Sequence, residues 1–181
     1  VFRVFHINPM DMDVEYSEDP LSLKSDFLLS LFETVIGGKN GLTAKEKSIL
    51  DRCVRLTYQE YMQTFNKEST PTLKDFYEVL KSQKEPEAEG LATALELYTV
   101  GNLSVFSQKT NIDINNRIVC FDIKDLGKQL KSMGMLITLD SIWNRIVENR
   151  KKGRHTWIYI DEMYLLFNNE YSANFFYELY K

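Results

Sequence analysis

One stretch decides the predicted fold of this chain: Trp157-Ile158-Tyr159-Ile160-Asp161-Glu162. Its apolar part consists of aromatic and β-branched residues, which is typical of a buried strand. The run stops at two adjacent carboxylates. Ligands of open α/β sheets bind at the carboxyl ends of the strands, so side chains at that edge meet the ligand. The stretch therefore predicts a core strand that carries Asp161 and Glu162 into a site, although a strand that ends in a surface turn would look the same.

The residues before this stretch favour a parallel sheet. Residues 117–123 form a second, almost entirely apolar run, as expected for a central strand that is covered on both faces. Helical periodicity follows from about Lys124, includes Ile142 and Trp143, and ends near Gly153. A strand, a helix and a strand in this order are typical of a parallel α/β sheet.

A helical region precedes these elements. From Leu21 to about Tyr98 apolar residues recur three or four positions apart, which predicts four helices in series. Gly37-Gly38 supplies a left-handed residue that ends the first helix. Thr43 and Glu46 form a capping-box pattern that begins the second helix. A small helical subdomain is therefore predicted between the sheet segments.

The amino-terminal residues complete the predicted architecture. Val1 to Ile7 have strand-like composition, and Asn8-Pro9 closes the strand because proline cannot donate to a β-ladder. The predicted fold class is α/β and helix-rich overall. Residues 1–9 and 102–181 form a partial parallel sheet, and residues 10–101 form a helical subdomain inserted into it. Ala173 to Lys181 are predicted to form an aromatic-rich helix with no Gly or Pro stop signal. Because the chain also begins in a strand without an initiator Met, we expect the sequence to be a fragment of a longer protein.

Composition limits the class of protein. The chain has 181 residues, 44% of them hydrophobic and 27% charged, which is an ordinary globular balance. A net charge of -4 disfavours a dominant polyanion-binding surface. No apolar run approaches the roughly 20 residues that span a bilayer. Cys53 and Cys120 do not form the dense disulfide framework of a small secreted domain, so a reducing cytoplasm fits best.

The sequence argues against two kinds of metal site. The acidic loop from Asp11 to Asp19 lacks the glycine and glutamate of a calcium loop, because Tyr16 and Ser22 stand at those positions. It is therefore interpreted as a solvated loop. His6 and His155 are far apart in the sequence and have no metal-ligand spacing, so a zinc site is not predicted.

A basic cluster lies at the end of the predicted helix before Trp157. Its members are Arg145, Arg150, Lys151, Lys152 and Arg154. Cations at a helix carboxyl end complement the macrodipole without any ligand, and we prefer this interpretation. Contact with DNA or with the nucleotide of a neighbouring subunit is the alternative. The aromatic residues from Trp143 onward, including Trp157 and Tyr159, are predicted to be buried core and not a surface for stacking bases.

Five short motifs occur in a fixed order: Asn8-Pro9-Met10-Asp11, Val105-Phe106 with Thr110-Asn111, Phe121-Asp122-Ile123 with Leu126-Gly127, Ile142-Trp143-Asn144, and the stretch from Trp157 to Tyr164. In order and spacing they resemble the ATPases of type IV secretion and conjugation systems, AAA-like relatives of HerA and FtsK. The resemblance extends over nearly all of the chain.

This resemblance implies a RecA-like sheet interrupted by a helical insertion, and a homo-hexamer as the working state. It implies Mg²⁺-dependent ATP hydrolysis that powers pilus assembly or the transfer of DNA or protein. Asp161 would be the Walker B residue that holds Mg²⁺ through water, and Glu162 the catalytic base. The implied location is cytoplasmic, at the inner face of the cell membrane, with inner-membrane components of the channel as partners.

The chain departs from the family at the phosphate-binding loop. A glycine-rich loop that ends in Lys-Ser or Lys-Thr does not occur in the sequence. The nearest candidate, residues 37–41, follows a helix and lacks the hydroxyl after the lysine. No nucleotide-binding residue is therefore assigned, and this chain by itself is predicted to be inactive, with no ATP or Mg²⁺ bound. The alternative function is a non-catalytic interaction module that docks a secretion-channel component. Direct contact with DNA stays open.

Overall fold

The computed structural model describes residues 6–12, 19–113 and 116–161, together with Ala173 and Tyr177. The chain divides into two compact units, Val1–Cys120 and Phe121–Lys181. In these described residues, all regular secondary structure is helical. No described helix has both the length and the apolar character that crossing a membrane requires.

The first unit is a helical bundle. Its helices are α1 (Pro20–Ile36), α2 (Ala44–Thr57), α3 (Gln59–Thr64), α4 (Leu73–Lys81) and α5 (Pro86–Thr99). Short 3₁₀ turns lie at Lys67–Ser69 and Ser104–Ser107. The second of the four predicted helices is two helices in the structure, α2 and α3, with Tyr58 (φ -84°, ψ -2°) between them. The helical character predicted for this region is confirmed.

Local capping interactions explain where these helices begin. The Asp19 carboxylate accepts a hydrogen bond of 3.1 Å from the Ser22 amide and begins α1. The predicted capping box of α2 is present: the Thr43 hydroxyl accepts from the Glu46 amide at 3.3 Å, and the Glu46 carboxylate accepts from the Thr43 amide at 2.7 Å. These caps satisfy amides that have no partner within the helix.

The core of the first unit lies between α1, α2, α4 and α5. The rings of Phe32 and Phe76 stack at its centre with their centroids 4.7 Å apart. Each large apolar side chain that is fully buried contributes about 1.5–3 kcal/mol. Its deeply buried members include Leu28, Leu31, Phe32, Leu50, Cys53, Val54, Phe76 and Leu80.

A buried turn at Asn8 ties the start of the first unit to distant residues. The Asn8 side-chain amide donates to the Pro71 carbonyl at 2.8 Å and to the Asp11 carboxylate at 3.2 Å. Its side-chain oxygen accepts from the Met10 amide at 3.1 Å, and its own backbone amide donates to the Thr110 hydroxyl at 2.8 Å. Every polar atom of the Asn8 side chain is therefore used, as burial requires.

A second set of bonds lies beside this turn. The His6 amide donates to the Asn111 side-chain oxygen at 2.8 Å, and the Asn111 amide donates to the His6 carbonyl at 3.2 Å. The His6 ring Nδ1 lies 2.9 Å from the Val105 carbonyl. The two segments that flank the helices along the chain therefore meet each other.

The second unit contains α6 (Lys128–Lys151). Its buried residues are Leu130, Met133, Gly134, Leu136, Ile137 and Leu139. The helix ends as predicted near Gly153, which takes the left-handed φ of +66°. The Gly153 amide donates to the Arg150 carbonyl at 3.0 Å and the Arg154 amide to the Asn149 carbonyl at 2.8 Å. This pair of bonds is a Schellman motif.

The predicted α/β fold, a partial RecA-like parallel sheet, is wrong for the described residues. None of them belongs to a strand. In the predicted central strand, Ile118 is 87% exposed and its neighbours are irregular. Residues 154–160 are not helical, but they pair with no other segment of the described chain. An apolar run becomes a strand only when another strand supplies its hydrogen bonds, and composition alone does not show whether one is present.

Parts of the predicted architecture are not tested by the structure. Residues 1–5 of the predicted first strand lie outside the described residues, while His6 and Ile7 are not in a strand. The predicted carboxyl-terminal helix lies outside them too, apart from Ala173 and Tyr177, which are helical. The division into residues 1–9 with 102–181 and residues 10–101 stays a prediction.

Candidate functional site

The structure describes one of the two predicted site residues. Asp161 is exposed and follows directly on the non-helical segment 154–160. Glu162 lies outside the described residues. The sequence places the two carboxylates next to each other, and the structure adds the surroundings of the first one.

The segment that leads to Asp161 alternates in exposure. Trp157 is 82% exposed and Tyr159 is 91% exposed, whereas Ile158 and Ile160 are half-buried. The expectation that both of these aromatic side chains are buried core is wrong for the described structure. The alternation gives the segment an inner and an outer side.

The inner side of the segment packs on α6. Ile160 belongs to a cluster around the buried Leu139, which also includes Met135, Ile142 and Trp143. Apolar contacts therefore fix the residue immediately before Asp161, while the carboxylate itself stands at the surface.

The start of the segment is tied to the end of α6 by polar contacts. The Asn149 side-chain amide donates to the Thr156 hydroxyl at 2.9 Å. Neither residue stands out in the sequence as a candidate site residue. The sequence feature that relates to this contact is Gly153. A glycine after a helix predicts a Schellman motif, in which the chain folds back toward the last helical residues.

The basic cluster at the end of α6 is partly neutralised by Glu148. Arg145 Nη1 lies 2.8 Å from Glu148 Oε2, and Lys152 Nζ contacts Glu148 Oε1. The hydrogen bond from Lys152, with a further contribution from Arg145, lowers the pKa of the Glu148 carboxyl. Arg150 and Lys151 lie in the last turn, where cations complement the helix macrodipole. These contacts favour the structural interpretation of the cluster.

The residues around Asp161 fit only part of a magnesium site. Mg²⁺ prefers oxygen ligands, keeps several waters, and in phosphate-binding enzymes takes one or two carboxylates. The exposed Asp161 carboxylate matches that requirement. Within the described part of the chain, no group of three His, Cys, Asp or Glu side chains is arranged to hold a metal ion.

The glycine-rich segment 37–41 is a helix end, as predicted. Gly38 and Gly41 take left-handed φ angles of +59° and +70°. The Glu33 carboxylate lies against this loop: it accepts from the Leu42 amide at 3.3 Å and pairs with Lys47 Nζ at 3.0 Å. A carboxylate in this position would repel a phosphate, so the loop does not fit a nucleotide.

Two residues of the acidic loop have structural partners. The Asp11 carboxylate accepts from the Thr110 hydroxyl, and Asp19 caps α1. Hydrogen bonds from the Ser22 hydroxyl and amide lower the pKa of Asp19. Residues 13–18 lie outside the described residues. The carboxylates at both ends of the loop thus serve the fold.

A shallow groove of about 320 Å³ lies on the surface of the first unit, between α2, α3 and α4. Its lining includes Leu56, Gln63, Asp75 and Val79. Leu56 is 45% exposed at its edge, and Phe65 nearby in sequence is 53% exposed. The groove is mixed in polarity, and its lining includes the carboxylates Glu60 and Asp75. Asp75 is bonded to Thr72 in the cap of α4.

Comparison with known proteins gives a match among solved structures. No model of a protein family matches the chain, and no curated protein matches it significantly. Among solved structures, the chain is similar to VirB4 of Thermoanaerobacter pseudethanolicus, with 25% sequence identity and a TM-score of 0.68. The match covers 80% of this chain and 59% of the VirB4 chain, so the chain spans about three fifths of that protein's length. The resemblance to type IV secretion ATPases that the motifs indicate is therefore confirmed, and the chain is similar to VirB4.

Proposed function

We propose that the intact protein is an ATPase that powers type IV secretion or conjugative transfer by Mg²⁺-dependent ATP hydrolysis. The observation that carries this proposal is the similarity to VirB4 over 80% of the chain. The order of the motifs in the sequence also supports it. These motifs occur in both compact units, so the resemblance is not limited to one part of the chain.

Within this proposal, Asp161 and Glu162 are the residues that take part in ATP hydrolysis. Bound Mg²⁺ would neutralise charge on the phosphate oxygens, which phosphoryl transfer requires. Asp161 would hold the hydrated ion, and its exposed position leaves room for the waters. Glu162 would orient the attacking water and accept its proton.

The remaining parts of the proposal concern the assembled protein. We expect a homo-hexamer at the cytoplasmic face of the inner membrane, in contact with channel components. Because the sequence lacks a phosphate-binding loop, this chain by itself is expected not to hydrolyse ATP. The transported substrate would be DNA or protein.

The test compares steady-state ATP hydrolysis by the full-length protein, its Glu162→Gln and Asp161→Asn variants, and this chain alone, with Mg²⁺ present. We expect Glu162→Gln to lower kcat by roughly 10²-fold or more while nucleotide binding is retained. Asp125→Asn removes an exposed carboxylate from the same unit and serves as the matched control. It should leave the rate unchanged.

A docking module is the second candidate, and the groove beside Leu56 with the exposed Phe65 favours it. Undiminished hydrolysis by Glu162→Gln would reject the catalytic assignment and leave docking as the better explanation. Hydrolysis by this chain alone would contradict the requirement for a phosphate-binding loop.

A further inference from the structure

Asn149 makes two bonds across the chain reversal that follows α6. Its backbone carbonyl accepts from the Arg154 amide at 2.8 Å, and its side-chain amide donates to the Thr156 hydroxyl at 2.9 Å. Between these contacts the chain turns at Gly153, whose φ of +66° suits glycine. Asn149 thus joins the end of the helix to the beginning of the segment that leads to Asp161.

That segment has two points of attachment to α6. Thr156 is bonded to Asn149 at its start, and Ile160 packs in the Leu139 cluster near its end. Asp161 follows Ile160 directly. The position of the carboxylate is therefore set by how residues 156–160 are aligned along the helix.

The apolar pattern does not fix this alignment. Ile158 and Ile160 face inward, while Trp157 and Tyr159 are 82% and 91% exposed. Because all four side chains are apolar, a shift of one residue would exchange the two sets and still bury hydrophobic surface. The same shift would turn Asp161 to the opposite side. A polar contact with a single matching partner resolves this ambiguity, and the Asn149–Thr156 bond is such a contact.

We propose that Asn149 is a positioning residue: by holding Thr156, it sets the register of residues 156–161 on α6 and hence the direction of the Asp161 carboxylate. This inference rests on the proposed function, in which Asp161 and its sequence neighbour Glu162 serve ATP hydrolysis. In this proposal Asn149 acts through Thr156 and not by contact with substrate or metal.

The experiment measures kcat and KM for ATP in the full-length protein. Asn149→Ala removes the donor, Thr156→Val removes the acceptor at nearly constant volume, and Thr156→Ser restores the hydroxyl. We expect the first two to lower kcat by roughly tenfold to a hundredfold, because small misplacements of catalytic groups have effects of this size. KM for ATP should stay unchanged, and Thr156→Ser should retain the wild-type rate.

A double-mutant cycle and a control sharpen the result. If the loss of the Asn149–Thr156 bond lowers kcat, the double variant Asn149→Ala/Thr156→Val should lose no more activity than either single variant. Ser141→Ala removes a hydroxyl that bonds only within α6, to the Ile137 carbonyl at 2.8 Å, and should leave kcat unchanged. If Asn149→Ala does not fold, the comparison of kcat between Thr156→Val and Thr156→Ser tests the proposal by itself.

The outcomes distinguish the positioning role of Asn149 from the proposed ATPase function on which it rests. Wild-type kcat in Thr156→Val, together with an inactive Glu162→Gln variant, overturns the positioning role and leaves the ATPase assignment intact. The positioning role is also overturned if Thr156→Ser lowers kcat as much as Thr156→Val does. The same holds if kcat falls only in variants whose Tm is lowered. Full activity of Glu162→Gln rejects the proposed function itself.

Discussion

Cys53 and Cys120 differ in exposure, and this difference predicts different reactivity. Cys53 is completely buried on α2, and burial raises the pKa of its thiol to about 11. Cys120 is exposed. Because the thiolate is the reactive form, we expect a thiol reagent near pH 8 to label Cys120 rapidly and Cys53 only after unfolding.

Mass spectrometry of the labelled protein checks this expectation, and Cys120→Ser is the control that leaves only the buried thiol. Rapid labelling of native Cys120→Ser would contradict the packing of α2. Both cysteines have apolar neighbours in the sequence, but only Cys53 is buried in the structure. Beside Cys120, Ile118 and Val119 are exposed.

At the scale of elements, the cap of α2 predicts a dependence of stability on pH. Hydrogen bonds from the Thr43 hydroxyl and amide lower the pKa of Glu46 below its ordinary value of 4.5. In the folded state the carboxyl therefore binds its proton at lower pH than in the unfolded state. Its stabilising contribution is complete above pH 4.5 and is lost as the pH falls through the folded pKa.

We expect the urea midpoint of the wild type to fall between neutral pH and about pH 3 by more than that of Thr43→Ala or Glu46→Gln. Both variants lack the interaction between an ionised carboxylate and the hydroxyl. Ser48→Ala removes a hydroxyl that bonds within α2, to the Ala44 carbonyl, and should keep the wild-type dependence. Parallel curves for the wild type and Thr43→Ala would show that the cap does not stabilise α2.

The strands predicted at residues 117–123 and 157–160 are wrong, and the physical reason belongs to this same scale. The helix ends at Gly38, Thr43 and Gly153 were predictable because caps and stops depend on neighbours within a few residues. Residues 117–123 have the composition of a strand, but a strand requires a partner that its own sequence does not specify. Nothing in the described chain supplies that partner.

At the scale of the whole molecule, Asn8 connects parts of the first unit that are far apart in sequence. It bonds to the Pro71 carbonyl and to the Thr110 hydroxyl, 63 and 102 residues away. Asn8→Ala would leave the buried Pro71 carbonyl and Met10 amide without these partners. We expect it to lower the free energy of unfolding by about 1–3 kcal/mol.

Urea denaturation followed by circular dichroism measures this loss. Asn102→Ala changes an exposed asparagine in the same unit and should shift the midpoint little. An unchanged midpoint in Asn8→Ala would mean that the buried turn does not contribute to the stability of the unit.

Local sequence was enough to predict the helical region, the capping box of α2, the helix ends at Gly38 and Gly153, and the order of motifs that indicated a type IV secretion ATPase. It also pointed to Asp161 and Glu162 as the candidate site, which stays a prediction. The absence of the predicted sheet from the described residues, the outward position of Trp157 and Tyr159, and the bond between Asn149 and Thr156 became known only from the folded structure. The difference lies in the range of the interactions. A helix forms bonds four residues apart, whereas the contacts of Asn8 and the burial of an apolar run depend on segments that meet only when the chain folds.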